Sequence, residues 1–122
     1  MPYIGLDIGT TGCKATVVET SGETIQSVYY EYDLRFPAPG WVELKPDDVW
    51  NAAKKALRGA VAKTGKAIDA VAVASFGEAV ALLGADGKPV CDSIFYTDIR
   101  GNDCLENLTS RVDPASLEYR TG

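Results

Sequence analysis

The stretch "YIGLDIGTTGCKATVVE", residues 3–19, is an apolar run broken by one acid and four turn-forming residues before it resumes. This pattern predicts a buried strand over residues 3–8, a short turn, and a returning strand over residues 13–19. Asp7 then stands at the end of the first strand, and Gly9-Thr10-Thr11-Gly12 makes the reversal. Glycine at position 9 admits close approach of another group to the backbone, and Gly12 permits a tight reversal. The Thr10 and Thr11 hydroxyls, beside the N–H groups of the turn, make a pocket for phosphate oxygens. Asp7 alone would repel a phosphate, whereas a magnesium ion between the two turns the acid into an anchor. Lys14 adds positive charge if strand alternation brings it to that side. Neither the Walker A spacing nor the GxGxxG fingerprint is present. The same residues also suit a plain hairpin, so both readings stand at this point.

Working outward, Ser21-Gly22 marks the next turn, and the β-branched and aromatic residues 24–32 predict a third strand, completing an antiparallel meander. "RFPAPGWVELKP", residues 35–46, holds three prolines and a glycine and reads as a crossing loop. Pro46-Asp47-Asp48 opens a helix, with proline in the first turn and acids against the positive dipole end. Val49, Ala53, Ala56, Leu57, Ala60 and Val61 recur at helical spacing, while Lys54, Lys55 and Arg58 fall largely on the other face. Gly65 ends that helix.

"IDAVAVASFG", residues 68–77, predicts a strand in parallel pairing and buried on both faces. "AVALLGADGKPV", residues 79–90, predicts a hairpin turning at Ala85-Asp86-Gly87-Lys88. A short helix follows over residues 102–111. The order is β-β-β-α-β in an α/β domain. The sequence then ends on "VDPASLEYRTG" without a closing element, although a lone helix covers one face of such a sheet. The expectation is the front portion of a longer protein.

Composition narrows the function. The 122 residues carry a formal net charge of −5, with 46% hydrophobic and 24% charged residues. An acidic chain disfavours nucleic acid and anionic membrane surfaces, which both select clustered Lys and Arg. It leaves room for a phosphorylated ligand, because a metal ion supplies local positive charge. The absence of histidine removes Ser-His-Asp and Cys-His catalysis and histidine metal sites. Cys13, Cys91 and Cys104 are odd in number and show no CxxC spacing, which points to free thiols in a reducing cytoplasm. Residues 68–85 are the most apolar stretch, but Asp69 and Glu78 interrupt it, so no membrane span is expected.

"GLDIGTTGCKATVVE" resembles the first phosphate motif of the actin-like ATPase superfamily, whose ribonuclease-H-like fold has a β-β-β-α-β core. Three further stretches resemble one branch, the FGGY carbohydrate kinases: "PGWVELKPDDVW", "ASFGEAVALLGADGKPV" and "SIFYTDIRG". They occur in family order and extend over residues 3–100.

The resemblance implies ATP and Mg2+ as cofactors and a sugar or polyol as substrate, and it allows a homodimer of the complete protein. Asp7 matches the acid at the magnesium–nucleotide end, and Gly9, Thr10, Thr11 and Gly12 match the phosphate turn, with Lys14 adjacent. Gly77 and Glu78 match a pair at the sugar, and Glu78 the member that bonds substrate hydroxyls. Tyr96 stands where tryptophan usually lies against the sugar's carbon face, and Asp98 and Arg100 match the acid and arginine of the same block.

Alternatives remain for each. Glu78 also reads as a solvent-facing strand end, Tyr96 as packing, and Asp98 with Arg100 as a structural pair. Trp41 and Trp50 read as packing a loop and a helix. Glycerol kinases have arginine where this chain has Gly77, and xylulose kinases have histidine where it has Glu78, so neither substrate carries over. Gly77 leaves space for a larger polyol or ketose. The general-base aspartate of the family falls beyond residue 122, and no catalytic residue is expected within this chain. A nucleotide-dependent scaffold of the same fold is the competing reading, and a stand-alone binding module a third.

Overall fold

The computed structural model describes residues 1–121. Strands β1 (Pro2–Ile8), β2 (Gly12–Glu19) and β3 (Thr24–Glu31) form the expected meander. β1 pairs antiparallel with β2 from Pro2↔Glu19 to Ile8↔Cys13, and β2 pairs antiparallel with β3. A two-residue strand β4 (Glu43–Leu44) precedes helix α1 (Pro46–Thr64). Strand β5 (Ala70–Ser75) then returns parallel to β1, giving the sheet order β3-β2-β1-β5.

Period-two alternation sends Ile4 and Leu6 of β1, and Cys13, Ala15 and Val17 of β2, to one buried face. Helix α1 packs there through Ala52, Ala53, Ala56 and Ala60, whose small side chains let the helix axis approach the sheet closely. Pro46 lies in the first turn with Asp47 and Asp48, and Gly65 caps the end in the left-handed region at φ 60°. Just past it, Lys66 forms an ion pair with Glu19, fastening the helix exit to the end of β2.

Several local expectations are corrected. Val61 is exposed and Ala52 is buried, because the helix face against the sheet centres on Ala53, Ala56 and Ala60. Strand β5 has the predicted parallel partner, yet all six of its residues are exposed. The reason is that α1 lies over β2 and β3, leaving the β5 edge bare on both faces among the described residues.

The hairpin over residues 79–90 shrinks to a single bridge, Leu83↔Pro89. Its turn runs from Gly84 to Gly87, one residue earlier than predicted, since the Gly87 N–H donates to the Gly84 carbonyl and Gly87 takes φ 75°. Two backbone bonds flank the bridge, Val90 N–H to the Leu82 carbonyl at 2.9 Å and Gly84 N–H to the Lys88 carbonyl at 2.8 Å. The crossing loop is not wholly irregular either. Its Arg35 bridges Glu43, and β4 pairs antiparallel with β6 (Ser93–Ile94). The predicted short helix is a 3-10 turn (Arg100–Cys104) followed by α2 (Leu105–Thr109), and α3 (Pro114–Thr121) comes after it.

Candidate functional site

The reversal between β1 and β2 is held by its own backbone, by Tyr29 of the neighbouring strand β3 and by Tyr32 just past the end of β3. The Gly9 N–H donates to the Gly12 carbonyl at 2.9 Å, and the Tyr32 N–H donates to the Thr11 carbonyl at 3.2 Å. The Tyr32 hydroxyl donates to the Gly9 carbonyl, and the Tyr29 hydroxyl lies 2.9 Å from Thr11 Oγ1. Burial, reinforced by the neighbouring Cys13, pushes the Tyr32 hydroxyl well above its ordinary pKa, so it stays a donor. Burial also pushes the Cys13 thiol up.

The two glycines differ in what a side chain would meet. Neither Gly9 nor Gly12 has a positive φ. Gly12 is the position of close approach: a Cβ there would lie 2.5 Å from the Tyr30 carbonyl oxygen and 2.6 Å from the Tyr29 ring. At Gly9 the nearest atom would be the Gly12 carbonyl at 3.4 Å, an ordinary contact.

The register pairs Asp7 with Lys14 across β1 and β2, and Asp7 with Ala74 across β1 and β5. Strand alternation thus brings Lys14 to the same open face as Asp7, beside a hollow of about 310 Å³ floored by Gly5, Ala72 and Ala74. The acid and the base share this face with Tyr29, which is paired with Lys14 on the other side.

Parallel pairing places the carboxyl ends of β1 and β5 side by side, Ile8 opposite Ser75. The Phe76 N–H donates to the Ile8 carbonyl at 3.0 Å, so Gly77 and Glu78 leave the sheet next to the point where the turn begins. Glu78 is exposed and has φ 65°, the one positive φ of a non-glycine residue among the described residues. Such backbone strain concentrates where function requires it.

An aromatic chain ties this segment to the later block. The Phe76 ring lies 5.6 Å from that of Phe95, and Phe95 lies 4.5 Å from Tyr96, which is half exposed. Buried Phe95 thus links the segment that carries Glu78 to the segment that carries Tyr96.

Asp98 is bound within the protein. Its side chain is fully enclosed, Oδ2 accepts the Val42 N–H at 2.6 Å, and the Arg100 guanidinium donates to both of its oxygens at 2.7–3.0 Å. Arg100 holds the Asp98 carboxyl far below the usual carboxylate range. Arg100 also bonds Glu43 at 2.8 Å and stacks 4.2 Å from the Trp41 ring centre. The GWVE stretch and the TDIRG stretch are thus one mechanical unit built around Arg100. Trp50 stands apart on α1, exposed, with Lys54 over its ring.

Sequence reading placed Asp7, the turn, Gly77, Glu78 and Tyr96; the structure brings Asp7, the turn, Gly77 and Glu78 to the carboxyl ends of β1 and β5, while Tyr96 follows β6 beside Phe95. It did not single out Tyr29, Tyr32, Phe76 or Phe95. The available signal was the run "YYEY" at residues 29–32, in which alternation gives neighbouring tyrosines to opposite faces.

Glycerol kinase from Leptospira biflexa is 32% identical over 124 residues, covering 98% of this chain and 25% of that protein. The xylulose kinase structure from Rhodospirillum rubrum superposes with TM-score 0.89 at 28% identity, over 95% of this chain and 24% of that one. Plasmodium falciparum glycerol kinase with ADP, at 16% identity, shares the fold with TM-score 0.86, covering 96% of this chain and 24% of that one. The chain spans about a quarter of the length of the curated relatives it matches. Its fold is the actin-like ATPase fold of those kinases. Residues 2–122 match the N-terminal domain of the FGGY family of carbohydrate kinases, and the chain belongs to that family.

Proposed function

We propose that the complete protein transfers the γ-phosphoryl group of ATP to a hydroxyl of a sugar or polyol, and that this chain supplies the phosphate turn and part of the sugar site. The observation that carries the reading is the meeting of the Asp7 turn and the Phe76–Glu78 segment at the carboxyl ends of parallel β1 and β5. Ligands of open α/β sheets bind at that edge.

The residues present fit a magnesium nucleotide. Asp7 is exposed beside the turn, and the Thr10 and Thr11 N–H groups have no protein acceptor among the described residues. No group of three or more His, Cys, Asp or Glu side chains converges among the described residues. Asp7 would therefore contribute one oxygen, directly or through water, with phosphates and waters completing the shell. Magnesium, when bound, neutralises charge developing on the transferred group.

On the sugar side, Glu78 accepts hydroxyl hydrogen bonds, Tyr96 offers its ring to the C–H face, and Gly77 leaves room beside them. Asp98 serves by holding the Tyr96 segment in place through Val42 and Arg100. The three free cysteines fit a reducing compartment such as the cytoplasm. No helix among the described residues is long and apolar enough to cross a membrane.

The test is ATP consumption by the complete protein against a panel of pentuloses, hexuloses and polyols. Consumption that rises with one panel member supports the kinase. Basal hydrolysis indifferent to every member supports the scaffold reading instead. With the substrate found, Asp7→Asn cripples turnover and leaves sugar affinity little changed; unaltered turnover refutes the role given to Asp7.

A further inference from the structure

We propose that Tyr29 and Tyr32 are positioning residues of the phosphate turn: Tyr32 draws the turn's carbonyl oxygens away from the anion, and Tyr29 orients the Thr11 hydroxyl so that its proton faces a phosphate oxygen. The inference rests on the phosphate role of the turn given above and extends it to a neighbouring strand.

A four-residue turn offers an incoming anion as many carbonyl oxygens as N–H groups, and the carbonyls repel it. Here three of the four carbonyls, those of Gly9, Thr11 and Gly12, accept hydrogen bonds from within the protein. Tyr32 supplies two of these bonds, one from its hydroxyl and one from its N–H. What remains without a protein partner among the described residues is the pair of N–H groups at Thr10 and Thr11 against the single carbonyl of Thr10, a balance that favours an anion. Tyr32 is itself buried, so its ring has a fixed place from which to donate.

Tyr29 acts on the side chain. A threonine hydroxyl has one proton and two acceptor positions. Beside Tyr29, Thr11 can spend its proton on the tyrosine or receive the tyrosine's proton and keep its own for another acceptor. An anionic oxygen at the turn selects the second arrangement, Tyr29 O–H to Thr11 Oγ1, Thr11 O–H to phosphate, in which each bond polarises the next. The Tyr29 ring is held for this by Gly12, since any side chain at that position would overlap the ring. Tyr29 also lies on the face that carries Asp7 and Lys14, so its hydroxyl is on the side from which the phosphates approach.

The experiment is calorimetric titration of the complete protein with Mg·ADP, on the wild type, Tyr29→Phe, Thr11→Val, the double variant and Tyr32→Phe, with a thermal melt of each. Tyr29→Phe is expected to weaken Mg·ADP by about three- to tenfold, and Thr11→Val by at least as much. Because Tyr29 acts through Thr11, the double variant binds no more weakly than Thr11→Val alone. A merely structural tyrosine would lower the melting temperature and leave this cycle additive. Tyr32→Phe keeps the ring and frees the Gly9 carbonyl, and is expected to weaken Mg·ADP as well. Wild-type affinity in Tyr29→Phe, or losses that multiply in the double variant, overturn the inference while leaving the phosphate role of the turn intact. A wild type that binds no Mg·ADP overturns both.

Discussion

Replacing Gly12 with alanine separates two explanations of that glycine by the sign of a stability change. If its value were conformational freedom, alanine should be harmless here, because Gly12 lies outside the left-handed region. Alanine in a compatible conformation stabilises by about 0.4–1 kcal/mol, through the lost freedom of the unfolded chain. The structure assigns the glycine a different task.

The added Cβ would sit 2.5 Å from the Tyr30 carbonyl oxygen, half an ångström inside the 3.0 Å below which real Cβ atoms essentially never approach. That oxygen belongs to the backbone of β3, so relief requires the β2–β3 ladder to splay. The Tyr29 ring, 2.6 Å away, must also swing off, and its hydroxyl then leaves Thr11. Overpacking of this kind costs about 1–3 kcal/mol, which exceeds the entropic gain and leaves a net loss of about 1–2 kcal/mol. Urea denaturation of the complete protein should show a lower midpoint at unchanged slope, and Mg·ADP should bind more weakly. A variant as stable as the wild type, with undiminished nucleotide affinity, refutes the reasoning.

Two further substitutions probe the sugar side. Glu78→Gly releases a left-handed backbone that costs a non-glycine residue about 1–2 kcal/mol, offset in part by the greater freedom of the unfolded glycine. Stability should rise by about 0.5–1 kcal/mol while the KM for the sugar found in the panel increases; a loss of stability would show that the φ of Glu78 carries no strain. Asp98→Asn tests the Arg100 unit by pH. The Asp98 carboxyl is held below its ordinary pKa of 3.8, so its contribution is present above that value and fades as pH falls toward the lower folded pKa. The stability gap between wild type and variant should therefore be widest near neutrality and narrow below pH 3.8; a gap constant across that range refutes the assignment.

Local sequence determined the elements whose causes are local. Alternation of apolar residues set the three-stranded meander, proline and two acids set the start of α1, Gly65 set its end, and the acid-plus-threonine turn was legible before any fold was known. Each follows from a period, a cap or a turn, which depend on residues within a few positions of one another. The strand status of residues 70–75 was legible for the same reason.

Tertiary structure decided what depends on partners distant in sequence. The apolar character of β5 predicted burial, but burial is set by what packs above a strand, and α1 sits over β2 and β3 instead. The hairpin at residues 79–90 keeps its turn and a single bridge, since turn residues specify the reversal but not how far the two arms pair. The purpose of Gly12 was invisible because the atoms that need its missing Cβ belong to β3, and the partners of Asp98 lie as far away as Val42. Tyr29 and Tyr32 reach the turn only because β3 folds back beside β2, and no spacing in a linear chain encodes which strand will be neighbour to which.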